Sequence, residues 1–478
     1  MQIGLVDVMD KSSSGNGPNV AIAALSGYLT ANGHEVGVLD VFHAAREEQA
    51  RFLGSAWGLV GISASSFDFQ VGLRAAVEVK KRTGAPIVFG GPHASVAREE
   101  ILAQPDVDYA IYGEGEIPLL GLAELLAKDR RPQAARLKEI NGLIFRDGQD
   151  VIVNPPQSRV ADLDTLPLPA YRLFPMEKYS EHHITTSRGC PFSCVFCASG
   201  AILGKKWIAR SPERIVEEIE CLIRDFGKKT VVIVDDTFNL DVERVKRFCR
   251  ILLERNLGIS WLLMAGLRAD RTDLEMLQLM KASGCRDFGI GIESADPGVL
   301  KRIAKGETIE DIARGIALIK QAGYRVSGSF MIGNPGDTLE TVKRSFEFAK
   351  SQALDGVFVY HAIPFPNTKL WEFVEQHGHF LRSDYTNFDK HFAEPVFETP
   401  EFPRSDRVEA YRTAQETFPD VSLGRSDRLP IARYVRAFVR RLRDEGVRAA
   451  VQRTGSFFMK RLKSAARSRI GTRVPPAA

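Results

Sequence analysis

The chain has 478 residues, of which 44% are hydrophobic and 26% charged, with a formal net charge of +4. These proportions suit a globular protein of about two to four domains and exclude a disordered chain or a short disulfide scaffold. No run of 18 apolar residues occurs, and Met1–Asp7 lacks the basic and long apolar segments of a signal peptide. A cytoplasmic protein without a spanning helix is therefore expected.

Residues 1–135 alternate short apolar runs with helical patterns. The predicted strands are Ile3–Val8, Glu35–Val41, Leu59–Ser63, Ile87–Gly90 and Tyr109–Tyr112. The predicted helices are Asn19–Asn32, Phe69–Thr83, Ala97–Gln104 and Ile117–Lys128. Such alternation specifies a parallel sheet covered on both faces. Five strands fit a doubly wound, flavodoxin-like unit whose ligand lies beyond the C-terminal strand ends. The loops there are rich in small residues: Ser12 to Gly17, then Ser63, Ser65 and Ser66, then Gly90-Gly91-Pro92-His93, and finally Gly113-Glu114-Gly115-Glu116. Glycine admits close approach of backbone to a bulky ligand, although sharp strand-to-helix turns use the same residues.

Residues 136–181 read as a connector. A hairpin of Gly142–Arg146 and Val151–Asn154 turns at Asp147-Gly148, and Leu166-Pro167-Leu168-Pro169 favours an extended strap. Alternation resumes over 182–378, with strands Ile184–Ser187, Val231–Asp235, Ser260–Gly266, Asp287–Glu293, Arg325–Ile332 and Gly356–Ile363. The accompanying helices are Pro212–Phe226, Val242–Asn256, Asp273–Ser283, Ile309–Ala322, Leu339–Ala353 and Lys369–His377. Six such units predict a partial TIM barrel with its chemistry at the C-terminal strand ends.

Cys190, Cys194 and Cys197 follow the first barrel strand in C-x3-C-x2-C spacing. Thiolates are the preferred ligands of iron–sulfur clusters. Three of them on a 4Fe–4S cube leave one iron open. As plain core residues the three would share a helix face, but Gly189 and Pro191 break a helix there. A structural zinc site needs a fourth donor, and the nearest histidines, His182 and His183, lie across a strand. Cys221, Cys249 and Cys285 fall in helical or strand-start patterns and read as ordinary buried thiols.

On this spacing, with the aromatic Phe196 before the last cysteine, the segment 182–370 resembles the radical SAM superfamily. The resemblance implies that Cys190, Cys194 and Cys197 are the metal ligands and the catalytic centre. It implies that the open iron binds S-adenosylmethionine, whose sulfonium bond is broken reductively to yield a 5′-deoxyadenosyl radical. Later strand ends are implied to contact cofactor: Asp235 and Asp236, Arg268, Glu293 and Ser294, and Gly333 and Pro335 in Gly333-Asn334-Pro335-Gly336-Asp337-Thr338. Each also has a reading as a cap or turn. A reductant such as flavodoxin or ferredoxin is the implied electron donor.

A flavodoxin-like unit, a strap and such a barrel together resemble the superfamily's cobalamin-binding branch. The implied cobalamin contacts are Ser63, Ser65, Ser66, Gly90, Gly91, His93, Gly113 and Glu114. Many cobalamin proteins carry Asp-x-His-x-x-Gly after the first strand, whereas Val8 to Val20 contains no histidine here. The lower cobalt face is therefore expected to lack a histidine from that loop, and His93 is expected at the corrin edge. A methylthiotransferase is disfavoured, because residues 1–150 contain no cysteine. The resemblance implies a cobalamin-dependent methyltransferase acting on an unactivated carbon of a biosynthetic substrate. The alternative is hydrogen abstraction leading to cyclisation, oxidation or rearrangement. A third reading is a cobalamin- or redox-sensing regulator that leaves S-adenosylmethionine intact.

Residues 379–478 are expected to cover the substrate pocket and end in a basic tail. Tyr385, Phe388, Phe392, Phe397 and Phe402 mark the first part. From Gly424 onward, 15 Lys and Arg stand against three acids, and Tyr434, Phe438 and Leu442 recur at four-residue steps. Such a segment lies peripherally on anionic membrane at the inner face, contacts nucleic acid, or stays solvated. Nucleic acid is the disfavoured partner. A membrane-proximal site suits a lipid-linked substrate as well as a small molecule.

Overall fold

The computed structural model describes residues 1–9, 17–382 and 394–418. The basic tail, the loop at 10–16, and Tyr385, Phe388 and Phe392 lie outside the described residues. Among the described residues no helix is long and apolar enough to cross a membrane.

The N-terminal part is an α/β layer built on β1 (Gln2–Asp7), α1 (Val20–Ala31), β2 (Glu35–Asp40), α2 (Arg46–Leu53), β3 (Leu59–Ser63), α3 (Phe69–Thr83), β4 (Ile87–Gly90), α4 (Pro92–Ala97), β5 (Tyr109–Ile111) and α5 (Glu116–Lys128). The sheet order is β2-β1-β3-β4-β5, all parallel, as a doubly wound unit requires. β1 and β3 are buried almost throughout, because helices cover both faces. The sheet then runs past the boundary expected at 135. β6 (Leu143–Asp147) and β7 (Asp150–Val153) add to it antiparallel, so the hairpin read as connector completes this sheet.

Two local expectations need correction. The helix expected over 97–104 instead starts at Pro92 and gives way to a 3-10 turn over Arg98–Ala103. Proline's fixed φ suits the first helical position, which starts the helix earlier. The short α2 escaped the pattern because only Phe52 of its eight residues is buried. Between sheet and barrel, the proline-rich strap lies across α1. Ala170 N–H donates to Ala23 O (2.9 Å), and Gly27 admits the strap where a Cβ would collide with Leu168 O.

The second part is the partial barrel. Its parallel strands are β8 (His182–Ile184), β9 (Thr230–Ile233), β10 (Ser260–Leu263), β11 (Cys285–Asp287), β12 (Gly289–Glu293), β13 (Ser327–Ile332) and β14 (Gly356–His361). The single strand expected over 287–293 is therefore broken at Phe288. This splits the wall into sheets β11-β10-β9-β8 and β12-β13-β14, joined by a parallel bridge between Leu267 and Ile290. Gly266, at φ +82°, passes so close to Gly289 O that a side chain would collide, which accounts for the offset. Outside the wall pack amphipathic helices, among them α6 (Pro212–Phe226), α7 (Val242–Arg255), α8 (Leu274–Ala282), α9 (Ile309–Gln321), α10 (Leu339–Ser351) and α11 (Lys369–His377). Ser211, Asp241, Asp273, Thr308, Thr338 and Thr368 each cap one of them through a side-chain oxygen, as sequence patterns of this kind foretell. A last helix, α12 (Arg404–Thr417), packs on β13, β14 and α10.

Candidate active site

The three cysteines sit on an irregular loop. Ser187, expected as the end of β8, instead begins a two-residue strand with Arg188 that pairs antiparallel with Ile208–Ala209. Gly189 then turns the chain at φ +80°, and a Cβ there would lie 2.6 Å from Lys206 O and from Arg159 Nη1. From Cys190 to Ala198 the backbone forms only a turn at Val195-Phe196, so the sulfurs are not helix-core residues. The loop is clamped mid-way: Val195 N–H donates to Ile303 O (3.0 Å), and Leu370 N–H donates to Val195 O (2.9 Å). Phe196 packs partly buried against the hydrophobic core.

Donors face the sulfurs. Thr237 Oγ1 donates to Cys190 Sγ (3.2 Å), and Ser199 N–H donates to Cys197 Sγ (3.4 Å). Hydrogen bonds to sulfur stabilise thiolate ligands and tune what they bind. Burial pushes the Cys194 thiol up, while the nearby cations Lys305 and Arg268 pull it down. Three exposed or half-buried thiols on one loop are the donor set of a 4Fe–4S cube.

The tetrapeptide Asp235-Asp236-Thr237-Phe238 braces this loop rather than standing free. Asp235 is buried and accepts from Thr186 N–H (2.6 Å), Ser187 Oγ (2.7 Å) and Thr186 Oγ1. Asp236 accepts from Ser199 Oγ (2.6 Å), next to Cys197. The oxygens of Asp235 are engaged by the strand end that launches the cysteines, while its side chain also borders the cavity described below. Arg268 is held within the barrel. It grips Asp270 through Nε (2.9 Å) and Nη2 (3.2 Å), donates to Lys305 O (3.1 Å), and lies 3.5 Å above the ring of Phe192 in the cysteine loop. Ser294 is buried toward Ser345 and caps the backbone at Asp296 N–H (3.2 Å), so it too is structural.

Glu293 is the side chain that stands ready. It ends β12 at φ +66°, a strained value for a residue with a side chain. Its Oε2 is buried without a hydrogen-bond partner, and burial pushes its carboxyl up against the pull of Lys305. Lys305 is buried beside it. Burial alone would depress the Lys305 ammonium, but Glu307 (3.1 Å) and Glu293 hold it above the ordinary lysine value. Asn334 Oδ1, after β13, is a second buried acceptor without a partner. Buried polar atoms are almost always paired. These two orphans at adjacent strand ends fit a ligand that carries N–H and O–H donors. Sequence patterns missed Lys305, Glu307 and Thr237: Lys305-Gly306-Glu307-Thr308 reads only as the approach to a helix cap.

Gly333, at φ +101°, occupies a turn where Asp337 Oδ2 accepts from Gly333 N–H (3.0 Å) and Asn334 N–H (2.8 Å), and Pro335 lies buried in the same turn. Behind Gly333, a Cβ would collide with Arg407 of α12, whose guanidinium also stacks on Phe397 (4.2 Å).

A cavity of about 430 Å³ opens between the N-terminal sheet and the barrel. Ser63, Ser65, Gly90, Gly91, Gly113 and Glu114 line it from one side, and Ser187, Ser199, Asp235 and Asp236 from the other. It extends into an apolar slot under α1, lined by Leu5, Ile22, Leu25 and Val88. Glycines hold these walls back: at Gly91 (φ +87°) a Cβ would lie 2.7 Å from Ser63 Oγ, and at Gly61 it would lie 2.9 Å from Leu5. An amphipathic group with an apolar end fits the space. His93 and Ser66 do not line it. His93 is 1% exposed, shares a hydrogen bond with Ser66 Oγ (3.0 Å) and lies on Phe69 at 3.9 Å between ring centres. Burial lowers its pKa to about 4, so it is a neutral packing residue. The expected corrin contact by His93 and Ser66 is corrected accordingly. Glu114 reaches the cavity, but its carboxylate is held by Arg159 (3.0 Å) and Val160 N–H (3.1 Å).

Comparisons with known proteins agree with this geometry. Residues 6–123 match the B12 binding domain, and residues 184–349 match the radical SAM superfamily. The chain is 30% identical over 414 residues to the uncharacterized methyltransferase PH0819 of Pyrococcus horikoshii, covering 84% of this chain and 88% of that protein. It is 26% identical over 376 residues to the anaerobic magnesium-protoporphyrin IX monomethyl ester cyclase of Rubrivivax gelatinosus, covering 75% and 66%. The fold is shared with the radical S-adenosylmethionine methyltransferase TsrM of Kitasatospora setae, solved with cobalamin and a [4Fe-4S] cluster. There the TM-score is 0.70 at 20% identity, over 86% of this chain and 90% of that one. The chain belongs to the radical SAM superfamily, in the branch that carries an N-terminal B12-binding domain. It is a cobalamin-dependent radical SAM enzyme of the methyltransferase-like branch, and its cofactors are a 4Fe–4S cluster, S-adenosylmethionine and cobalamin.

Proposed function

We propose that this enzyme moves a methyl group from S-adenosylmethionine, by way of cobalamin, to an unactivated carbon of a small-molecule substrate. The observation that carries this reading is the shared cavity, lined by the loops of the B12-binding sheet on one side and by Arg188 and Ser199, which flank the cysteine loop, on the other. Cys190, Cys194 and Cys197 hold the cluster, and Thr237 and Ser199 orient its sulfur ligands. Glu293 and Asn334 accept hydrogen bonds from S-adenosylmethionine, and the ammonium of Lys305 offsets its carboxylate. Gly90, Gly91, Gly113, Ser63 and Ser65 give cobalamin a wall of backbone and small side chains. When bound, the cluster supplies the electron for reductive cleavage and cobalamin supplies a methyl carrier. The buried setting of Glu293 and Lys305 excludes water from a reaction that water or oxygen would quench.

The test is anaerobic purification, reconstitution, and incubation with methyl-labelled S-adenosylmethionine under a strong reductant. Expected are about four irons per chain, stoichiometric corrinoid, and label on cobalamin with release of S-adenosylhomocysteine. Formation of 5′-deoxyadenosine alone, with corrinoid bound but never methylated, overturns the methyl-transfer reading. It would favour cyclisation or oxidation, a reading supported by the similarity to the Rubrivivax cyclase.

A further inference from the structure

Four charged side chains, two buried carboxylates and two half-buried arginines, stand where the two cofactor-bearing parts meet, and the reaction assigned above uses none of them. Glu114 and Glu116 flank Gly115 in the loop after β5, on the wall of the cavity. Arg188 lies two residues before Cys190, and Arg159 comes from the connecting strap. Arg188 Nη2 donates to Glu116 Oε1 (2.6 Å), and its Nη1 lies 3.7 Å from Glu114 Oε1. Arg159 donates to Glu114 through Nε and Nη2, each at 3.0 Å, and through Nη1 to Lys206 O. The side chains of Glu114 and Glu116 are 6% exposed, Arg188 16% and Arg159 17%.

The charges balance, two against two, and every carboxylate is doubly engaged or gripped at close range. A buried ion pair adds little net stability, because desolvating both partners offsets their attraction. Two apolar residues would seal the same boundary without that cost. What the pairs provide, and apolar contact does not, is a fixed register between two surfaces. Here one surface is the corrin-side loop and the other is the strand that launches the cysteines. Glycines allow close approach at the same boundary. Gly189 leaves room for Arg159 and Lys206 O beside the first cysteine, and a Cβ on Gly113 would reach Ile202 O, just beyond the last cysteine, at 3.9 Å.

We propose that Arg188, Glu116, Glu114 and Arg159 form a positioning lock that sets the placement of the cobalamin site relative to the cluster loop. This rests on the reading that both cofactors are loaded. None of the four is a catalytic residue; they act through the loops they join. Arg188→Gln or Glu116→Gln removes the charge pairing with little change in volume, so the loops drift while each keeps its own cofactor determinants. Arg188→Lys keeps the charge but loses the forked geometry.

The test uses the full-length enzyme reconstituted with iron, sulfide and hydroxocobalamin, then reduced so that cobalt(II) and the reduced cluster are both paramagnetic. Electron paramagnetic resonance reads the broadening of the cobalt signal by the nearby cluster, which depends steeply on their separation. The wild type is expected to show this broadening. Arg188→Gln and Glu116→Gln are expected to lose or change it while iron and corrinoid contents stay at wild-type values, and Arg188→Lys is expected to recover part of it. The proposal is overturned if both neutral variants keep the wild-type broadening with both cofactors bound. It is equally overturned if they simply shed corrinoid or iron, which would make the cluster of charges a structural support. A wild type that binds no corrinoid at all refutes the methyl-transfer reading instead.

Discussion

The two cofactor-bearing parts of the molecule build their sites from opposite materials. The N-terminal sheet offers its ligand backbone, glycine and serine, and its one suggestive imidazole, His93, is buried out of reach. The barrel offers charged and sulfur-bearing side chains, each braced by neighbours: Asp235 under the cysteine loop, Arg268 over Phe192, and Lys305 between Glu293 and Glu307. A large ligand held over many weak contacts needs shape, and a cluster needs a few strong ligands in fixed geometry. Substitutions on the barrel side should therefore act sharply and locally, and those on the sheet side gradually.

The largest effect is expected at the thiols. Replacing any of Cys190, Cys194 or Cys197 by Ala should remove the cluster's iron and sulfide and bring cleavage of S-adenosylmethionine to background, with far-ultraviolet circular dichroism unchanged. Retained iron and activity in all three variants would refute the ligand assignment. Next comes Glu293→Gln. Losing a charged acceptor of a bound donor is worth about 1.5–3 kcal/mol, so the affinity for S-adenosylmethionine should fall roughly 10- to 100-fold. Because burial pushes this carboxyl up, the uncomplexed variant should be no less stable than the parent. Equal affinity by calorimetry would place the cofactor elsewhere.

On the sheet side, Gly91→Ala forces a side chain into a left-handed backbone position 2.7 Å from Ser63 Oγ. A cost of about 1–3 kcal/mol and partial loss of corrinoid are expected, with the cluster intact. Corrinoid retention equal to wild type would mean that this wall does not face the ligand. At neutral pH the smallest effect concerns His93, which shows itself only as pH falls. Its folded pKa, about 4, lies below the ordinary 6.5, so the unfolded chain binds the extra proton between those values. Stability contributed by neutral His93 is complete above pH 6.5 and is lost as pH falls toward 4. His93→Phe should reduce the slope of unfolding free energy against pH in that window by at most about 1.4 kcal/mol per pH unit. An unchanged slope would mean that other groups carry it.

Much of this was legible in the amino-acid order. Short apolar runs alternating with helical patterns specify parallel sheets, and Leu59–Ser63, Phe69–Thr83, Pro212–Phe226 and Lys369–His377 have the bounds their patterns predict. The cysteine spacing is local, so it reads the same in sequence and in space. Where the reading went astray, a distant partner decided. The Gly142–Val153 hairpin looks like a linker until β5 supplies a sheet edge for it to join. Asp235, Ser294 and Glu114 have the chemistry of cofactor ligands, and each also meets a residue that folding brings to it, while Arg268 is held by Asp270 two residues on.

The order of residues alone determined which chemistry the chain carries: three thiols on a broken turn, glycine-rich strand ends, and two blocks of alternating strands and helices. Whether a given polar group faces a ligand or a neighbour was settled only in three dimensions. A buried charge or imidazole must find a partner, and that partner lay 2 residues away for Arg268, 27 for His93, 49 for Asp235 and 72 for Arg188. Glu293 and Asn334 were left with unpaired oxygens by the same packing, and no local pattern foretells which side chains a fold will leave unmatched.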